Sequence, residues 1–385
     1  MILIAMRFIL VSKMNTQKNF FFFCNISTVN IRKEYCYCNE CFISMINHKF
    51  RACIGKNKTL SANEKVLICL SGDGSSTVLL DLIYNAISLN NHKKLRVVPY
   101  FLHIIAVSDN ENISNTIIEQ CKNYGFTVTV VNIKEYYKNI LCNTGELENQ
   151  NSNNSKSILS DVPSSIGQDV VAKMKQNIFV KVSKTLDCKS IFTAETTTTL
   201  ATKLLSNIAI GRGSQIENDI VNKRDSNVKI LRPLKDISNE DIQCYLKVKD
   251  IKPAKCMHNK LNETSLQSVI KNFVMDLQEN YPATVSTICK TADKIGSVTN
   301  NFNKKKCKVC QSILDNNDSK LTAVDATMFS RQVSSIPSRI SIHNEDKQNI
   351  EGENNLMFPF IYESLCYCCS RNVSELGDPL LHILV

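Results

Sequence analysis

The tightest constraint on this chain lies at residues 65–87. Lys65-Val66-Leu67-Ile68-Cys69-Leu70 is a short apolar run of the kind found in strands buried on both faces. It passes straight into Ser71-Gly72-Asp73-Gly74-Ser75-Ser76, after which Leu79, Leu82, Ile83, Ala86 and Ile87 recur at helical spacing. A strand, a Gly/Ser turn and a helix in that order form the first half of a crossover between parallel strands. The pattern then repeats. Strand signals at 95–105, 126–131, 190–194 and 228–231 alternate with helical periodicity at 111–124, 169–186 and 197–210. Ser238 followed by Asp241 adds a cap-and-acid start for one more helix. The expected fold is α/β: a doubly wound, mostly parallel sheet with helices on both faces.

Composition narrows the setting. Charged residues make up 21% and hydrophobic residues 43% of 385 residues, which excludes a wholly disordered or fibrous chain. Lys plus Arg total 46 against 36 Asp plus Glu, and the net charge of +10 favours a polyanionic partner such as nucleic acid. The apolar start, Met1 to Ser12, is broken by Arg7, lacks a basic leading region and precedes no small-residue cleavage site, so no secretory signal is expected. No later stretch reaches the roughly 18–20 apolar residues of a membrane span. In the reducing compartment this implies, 17 cysteines point to metal or thiol chemistry rather than to disulfides.

Along the chain, residues 1–35 show neither clean periodicity nor caps and are expected to be a poorly ordered extension. Residues 36–60 form a cysteine-containing basic helical region, 61–250 the α/β domain, 251–306 a helical connection, and 307–385 a cysteine-rich module. Two polar stretches, 143–168 and 313–356, hold too few large apolar residues to offset their ordering entropy and are expected to be flexible insertions.

Three groups of residues carry candidate chemistry. The first is Ser71, Gly72, Asp73, Gly74, Ser75 and Ser76, where a parallel sheet presents backbone N–H groups to a phosphate at a helix N-terminus. The turn is neither GxGxxG nor a Walker loop, since it lacks the lysine. The second is the pair of CxxC motifs, Cys307/Cys310 and Cys366/Cys369, which suits a tetrahedral zinc ion gripped from two edges. Cys368 lies between the second pair, and a redox or iron–sulfur role is the competing reading. Cys38 and Cys41 form one further CxxC, a tentative second site, with Cys24 and Cys36 as available but oddly spaced companions. The third is a basic run, Lys49, Arg51, Lys56 and Lys58, placed outward of a helical face made by Ile43, Ile46, Phe50 and Ile54. Such a run could hold an RNA backbone, or simply be a solvated face.

Taken in order, these motifs resemble the cytoplasmic tRNA 2-thiolation protein 2 family. The matching stretches are Cys38 to Phe42, His48-Lys49-Phe50-Arg51 with Gly55-Lys56-Asn57, Glu64 to Leu67 leading into Ser71-Gly72, and Leu95 to Pro99. Leu200 to Asn207, Gly211-Arg212-Gly213, Leu231-Arg232-Pro233-Leu234-Lys235-Asp236, and the two terminal cysteine motifs complete the series. The resemblance implies an adenine nucleotide α-hydrolase-like (PP-loop) fold with a zinc-ribbon-like C-terminal module, in the cytoplasm. It further implies a heterodimer with a catalytic PP-loop subunit, cytoplasmic tRNA 2-thiolation protein 1, that binds ATP. That complex installs 2-thiouridine at the wobble position of tRNAs for Lys, Glu and Gln, with sulfur from a thiocarboxylated ubiquitin-like carrier. Arg212 joins Lys49, Arg51, Lys56 and Lys58 as an expected tRNA contact. Catalytic relatives carry Ser-Gly-Gly-x-Asp-Ser, whereas here Asp73 replaces the second Gly and Ser75 the Asp, and Phe192 to Thr196 lacks paired acids. A carboxylate about 4 Å from a phosphate costs on the order of 4 kcal/mol, so the loop is expected to be degenerate and the chain non-catalytic. An active sulfurtransferase and a zinc-stabilised scaffold without RNA contact are the alternatives.

Overall fold

The computed structural model describes residues 29–31, 35–55, 60–89, 94–106, 111–136, 164–213, 228–255, 265–298 and 365–376, with Cys307, Cys310, Leu314 and Thr327. Two short strands come first, β1 (Val29–Ile31) and β2 (Tyr35–Tyr37), paired antiparallel with Asn30 opposite Cys36. β1 falls within residues 1–35, of which 1–28 and 32–34 lie outside the described residues. Three residues are too few for a period-2 signal to be read in a sequence. Helix α1 (Asn39–Gly55) follows and buries Phe42, Ile46, Phe50 and Cys53.

The main sheet is built from β3 (Glu64–Leu70), β4 (Val97–Ile105), β5 (Val128–Asn132), β6 (Ser190–Phe192) and β7 (Lys229–Leu231). Its spatial order is β5-β4-β3-β6-β7 and every pairing is parallel. The chain winds outward from β3 to β5, then returns across the sheet to β6 and β7. The doubly wound expectation therefore holds, and the direction reverses at the carboxyl end of β3, where such sheets bind ligands. Helices α2 (Gly74–Ser88), α3 (Glu111–Asn123), α4 (Ser164–Thr185), α5 (Thr197–Ala209) and α6 (Asn239–Lys249) follow the strands.

Alternation along β3 explains the two layers. Val66, Ile68 and Leu70 enter one core with residues of α1, α2 and α6, while Leu67 and Cys69 enter a second with Val170, Met174 and Ile178 of α4 and the C-terminal cysteines. Both faces are covered, hence the continuous apolar run in the sequence. Burying each such side chain contributes roughly 1.5–3 kcal/mol. β4 continues through Pro99 because β5 pairs only from Phe101 onward, so the missing N–H faces an unpaired flank.

α4 begins at Ser164, five residues inside the stretch expected to be a flexible insertion, and Ser165 and Gln168 bond Leu266, Gln267 and Ser265. Weakly apolar first turns hide a helix start from periodicity, and tertiary contacts supply what propensity lacks. Residues 137–163, like nearly all of 313–356, lie outside the described residues. The capping box Ser238/Asp241 opens α6 as expected. The hairpin α7 (Leu266–Asn280) and α8 (Pro282–Val298) packs Val274, Val285 and Ala292 against Leu200, Ala201 and Leu204 of α5. A final helix, α9 (Tyr367–Leu376), carries the last cysteines.

One buried carboxylate joins three elements. Asp81 of α2 accepts hydrogen bonds from Tyr245 Oη at 2.6 Å, Asn85 Nδ2 at 2.9 Å and Tyr124 Oη at 3.0 Å. Burial, with Asp81 beside them, pushes both phenols well above their ordinary range. Tyr245→Phe removes one donor from a buried charge and is expected to cost about 1–3 kcal/mol, read as a lowered urea midpoint at unchanged slope.

Candidate functional site

The loop after β3 sits where the winding direction reverses, and its hydrogen bonds close on themselves. Gly72 has φ of +84°, and a Cβ there would lie 2.8 Å from Ile117 Cδ1, so only glycine fits both the turn and the packing. Its amide donates to Ser76 Oγ at 3.0 Å, and its carbonyl accepts from the Lys255 amide at 2.7 Å. Asp73 is the N-cap of α2. Its Oδ1 accepts from the Ser76 amide at 2.9 Å and from Ser75 Oγ at 3.1 Å. Gly74, Ser75 and Ser76 are buried and Ser71 is exposed. The positive end of α2 thus meets a carboxylate of its own chain where a phosphate-binding loop would offer free N–H groups. His103 of β4, fully buried, braces the same turn: its Nδ1 lies 2.8 Å from the Leu70 carbonyl and its Nε2 3.2 Å from Ser114 Oγ. Because a carbonyl only accepts, Nδ1 carries a proton.

Glu195 stands beyond the neighbouring strand, β6, and is the single acid of that segment. Arg232 Nε donates to it at 2.6 Å, Lys203 Nζ at 3.1 Å and Thr193 Oγ1 at 3.2 Å. Burial alone would raise its pKa, but the Lys203 ammonium and the Arg232 guanidinium outweigh burial and hold the carboxyl at about 2. Arg232 belongs to the Leu231 to Asp236 motif, whose Lys235 pairs with Asp293 of α8 at 3.2 Å. These charges are spent on each other.

The basic candidates separate. Lys49 pairs with Asp241 at 3.2 Å and lines a cavity of about 290 Å³ with Lys235 and Lys290, lysines distant in sequence that no linear pattern groups with it. Arg51 is half-buried on α1, and Lys56 and Lys58 lie outside the described residues. Arg212 corrects the expectation of an RNA contact. It is 1% exposed, and its guanidinium grips Asp169 of α4 through both oxygens at 2.6 and 2.8 Å. A single arginine between glycines reads as surface in sequence, since its partners lie 43 and 156 residues away.

The C-terminal cysteines converge. The Sγ atoms of Cys307, Cys310, Cys366 and Cys369 all lie within 4.8 Å of one another, with Cys310 and Cys366 at 3.6 Å. A tetrahedron of ligands about 2.3 Å from one ion has edges of about 3.8 Å, so the cage fits a single four-coordinate metal. A four-iron cube would hold its thiolates further apart. Cys369, and not Cys368, completes the set. Hydrogen bonds from the neighbouring thiols favour the Cys310 thiolate and hold its pKa far below the ordinary value, the thiols of Cys366 and Cys369 being pushed up in turn. Cys38 and Cys41 are linked by an amide-to-sulfur bond, Cys41 N to Cys38 Sγ at 3.4 Å, and no third ligand gathers with them among the described residues. Cys24 and the Cys36 side chain lie outside the described residues.

Comparison with known proteins gives these sites a context. The profile of the family described as cytoplasmic tRNA 2-thiolation protein 2 matches residues 265–371, from the cap of α7 to α9. Proteins of that name from Drosophila mojavensis and Drosophila willistoni are 31% and 30% identical, aligned over 89% and 90% of this chain and 87% and 88% of their own. The one from Aedes aegypti is 29% identical over 82% of this chain and 78% of its own. Among solved structures, the U34-tRNA thiolase NcsA from Methanococcus maripaludis with its [4Fe-4S] cluster superposes with a TM-score of 0.55. The alignment covers 74% of this chain and 87% of that one at 18% identity, a likeness of fold. No helix among the described residues is long and apolar enough to cross a membrane.

The Glu195 pairing has a pH signature. A carboxyl depressed in the folded state from 4.5 to about 2 adds stability that is present above pH 4.5 and lost as pH falls toward 2. Its face value is about 3 kcal/mol, reduced by solvent reaching a side chain 21% exposed. The wild-type advantage over Glu195→Gln in urea unfolding is expected to be full at pH 6 and to shrink between pH 4.5 and 2.

Proposed function

Because the chain belongs to the cytoplasmic tRNA 2-thiolation protein 2 family, we propose that it is the non-catalytic but required subunit of a heterodimeric tRNA thiolase. Its role is in tRNA thiolation, in the cytoplasm by the name of its relatives. The partner is a catalytic PP-loop subunit, cytoplasmic tRNA 2-thiolation protein 1, that binds ATP and modifies the wobble uridine of tRNAs for Lys, Glu and Gln. Sulfur comes from a thiocarboxylated ubiquitin-like carrier. The observation that carries the non-catalytic reading is the N-cap at Asp73. A nucleotide phosphate at this loop would have to displace a carboxylate from the Ser76 amide and would meet its charge at close range, with Glu195 pinned by Arg232 and Lys203 rather than free to hold magnesium.

The Cys307, Cys310, Cys366 and Cys369 cage is proposed to hold one structural zinc ion. A closed set of four thiolates leaves no open coordination position, so the ion joins the segments around 307–310 and 366–369 and does no chemistry on substrate. Lys49, Arg51, Lys56 and Lys58 are the proposed tRNA contacts.

Mercury-gel retardation of the Lys, Glu and Gln tRNAs in cells depleted of the protein tests the central claim. Wild type and Ser71→Asp, which adds a carboxylate at an exposed loop position, are both expected to restore retardation. Restoration by wild type alone would mean the loop binds a phosphate. Reversing Arg51, Lys56 and Lys58 to Glu is expected to weaken tRNA binding by the reconstituted complex. The slope of log affinity on log salt should flatten by about 0.7–0.9 for each phosphate no longer neutralised. The full chain should carry about one zinc per molecule, absent from Cys310→Ser.

A further inference from the structure

The cavity of about 290 Å³ that Lys49 lines lies where the start of α6 meets α1, α5, α7 and α8, and its wall holds a buried donor with nothing to bond. Gln278 of α7 is 5% exposed, and its Nε2 has no hydrogen-bond partner among the described residues. Buried amides are nearly always paired, because an N–H taken out of water without compensation destabilises the fold. Ser238, also buried, accepts from the Asp241 amide at 3.2 Å, which leaves its hydroxyl proton to donate. By contrast, Thr197 Oγ1 is spent on the Lys235 carbonyl at 2.6 Å, and Cys289 Sγ on the Thr197 carbonyl at 3.3 Å.

The charges in and behind this wall balance. Lys49 pairs with Asp241 and Lys235 with Asp293, each at 3.2 Å. Lys290 and Asp236, both exposed, line the cavity without an ion-pair partner among the described residues. A polyanion such as a nucleoside triphosphate finds no matching excess of positive charge here. A free mononucleotide ends in a phosphomonoester of about −1.5 to −2 charge, more than one uncompensated ammonium matches. A nucleotide within an RNA strand carries one singly charged phosphodiester, acceptors on sugar and base, and a 2′-hydroxyl that donates. That set meets each unspent group in turn. The volume, near the lower end of the roughly 300–1,000 Å³ of small-ligand sites, suits a unit of that size. We propose that this cavity receives one nucleotide of bound RNA, with Lys290 on its phosphodiester, Gln278 and Ser238 donating to its acceptors, and Asp236 accepting from its 2′-hydroxyl. Gln278 is then a donor that folding leaves unpaired and RNA pairs.

The proposal rests on the tRNA reading above, and its test keeps the two apart. Filter binding of tRNA to the reconstituted complex, built with the full-length chain, is measured across a salt series, and urea unfolding is followed on the same chain. Gln278→Leu is expected to weaken tRNA binding about 3- to 10-fold at an unchanged salt slope, since it removes a neutral donor. The urea midpoint of the free chain is expected to stay or to rise, because the variant buries no unpaired amide. Lys290→Gln is expected to flatten the slope of log affinity on log salt by about 0.7–0.9. Wild-type affinity in Gln278→Leu overturns the proposal, as does a loss of affinity that comes with a lowered urea midpoint, the mark of a structural glutamine. Should Gln278→Leu not fold, the more flexible Gln278→Met takes its place under the same outcomes. Uridine 5′-monophosphate is the free-nucleotide probe: if it raises the urea midpoint of wild type and not of Gln278→Leu while both bind tRNA equally, the ligand is a free nucleotide and the RNA assignment falls. If reversing Arg51, Lys56 and Lys58 weakens tRNA binding and the cavity variants do not, this proposal alone fails. A wild-type complex that retains no tRNA removes the tRNA reading and this proposal with it.

Discussion

The central strand is the constraint on which the remainder depends. β3 has a parallel partner on either side and a helical layer on either face, so its residues Val66, Leu67 and Ile68 have a neighbour in every direction. A parallel sheet cannot be closed by hairpins, so each connection crosses over a face and returns at the same end. Every loop that leaves a carboxyl strand end therefore reaches the same rim. Asp73 follows β3, Glu195 follows β6 and Arg232 follows β7, so the topology brings all three to that rim although up to 159 residues of chain separate them.

At that rim the protein keeps the geometry of an anion-binding turn while supplying the anion itself. The left-handed Gly72, the buried serines and the helix start are all present, and the Asp73 carboxylate is bonded to the amide of Ser76. The same internal compensation recurs at Glu195 with Arg232 and Lys203, and at Asp293 with Lys235. Charges that would be poised for a ligand in a working phosphate site are here satisfied within the chain. Fixed and paired, they stabilise the rim and leave it little electrostatic demand for a guest.

Much of this is legible in the sequence because local rules govern it. Period, caps and turn residues are properties of neighbouring positions, which is why they place the strands, the α6 capping box and the switch-point loop within a residue or two. The cysteine cage is legible through its two short spacings, and the choice of Cys369 over Cys368 follows from the same spacing. What stays hidden depends on distant chain. Arg212 looks exposed until Asp169 and Cys368 fold around it, and the first turn of α4 has too little apolar character to announce itself without Ser265 and Gln267 beside it. Lys235 and Lys290 join Lys49 only through the packing of α8 on the loop after β7.

The close approach of Gly211 and Tyr367 bears on how this protein can vary. A ring from the cysteine knuckle fills the volume that any side chain at the turn would need, and the turn's left-handed backbone is what admits the ring. A side chain at position 211 would have to displace that half-exposed ring, so substitutions at 211 and 367 are expected to be non-additive. Two stretches 156 residues apart are thereby coupled in what they tolerate, a glycine in the α/β domain and a tyrosine among thiols.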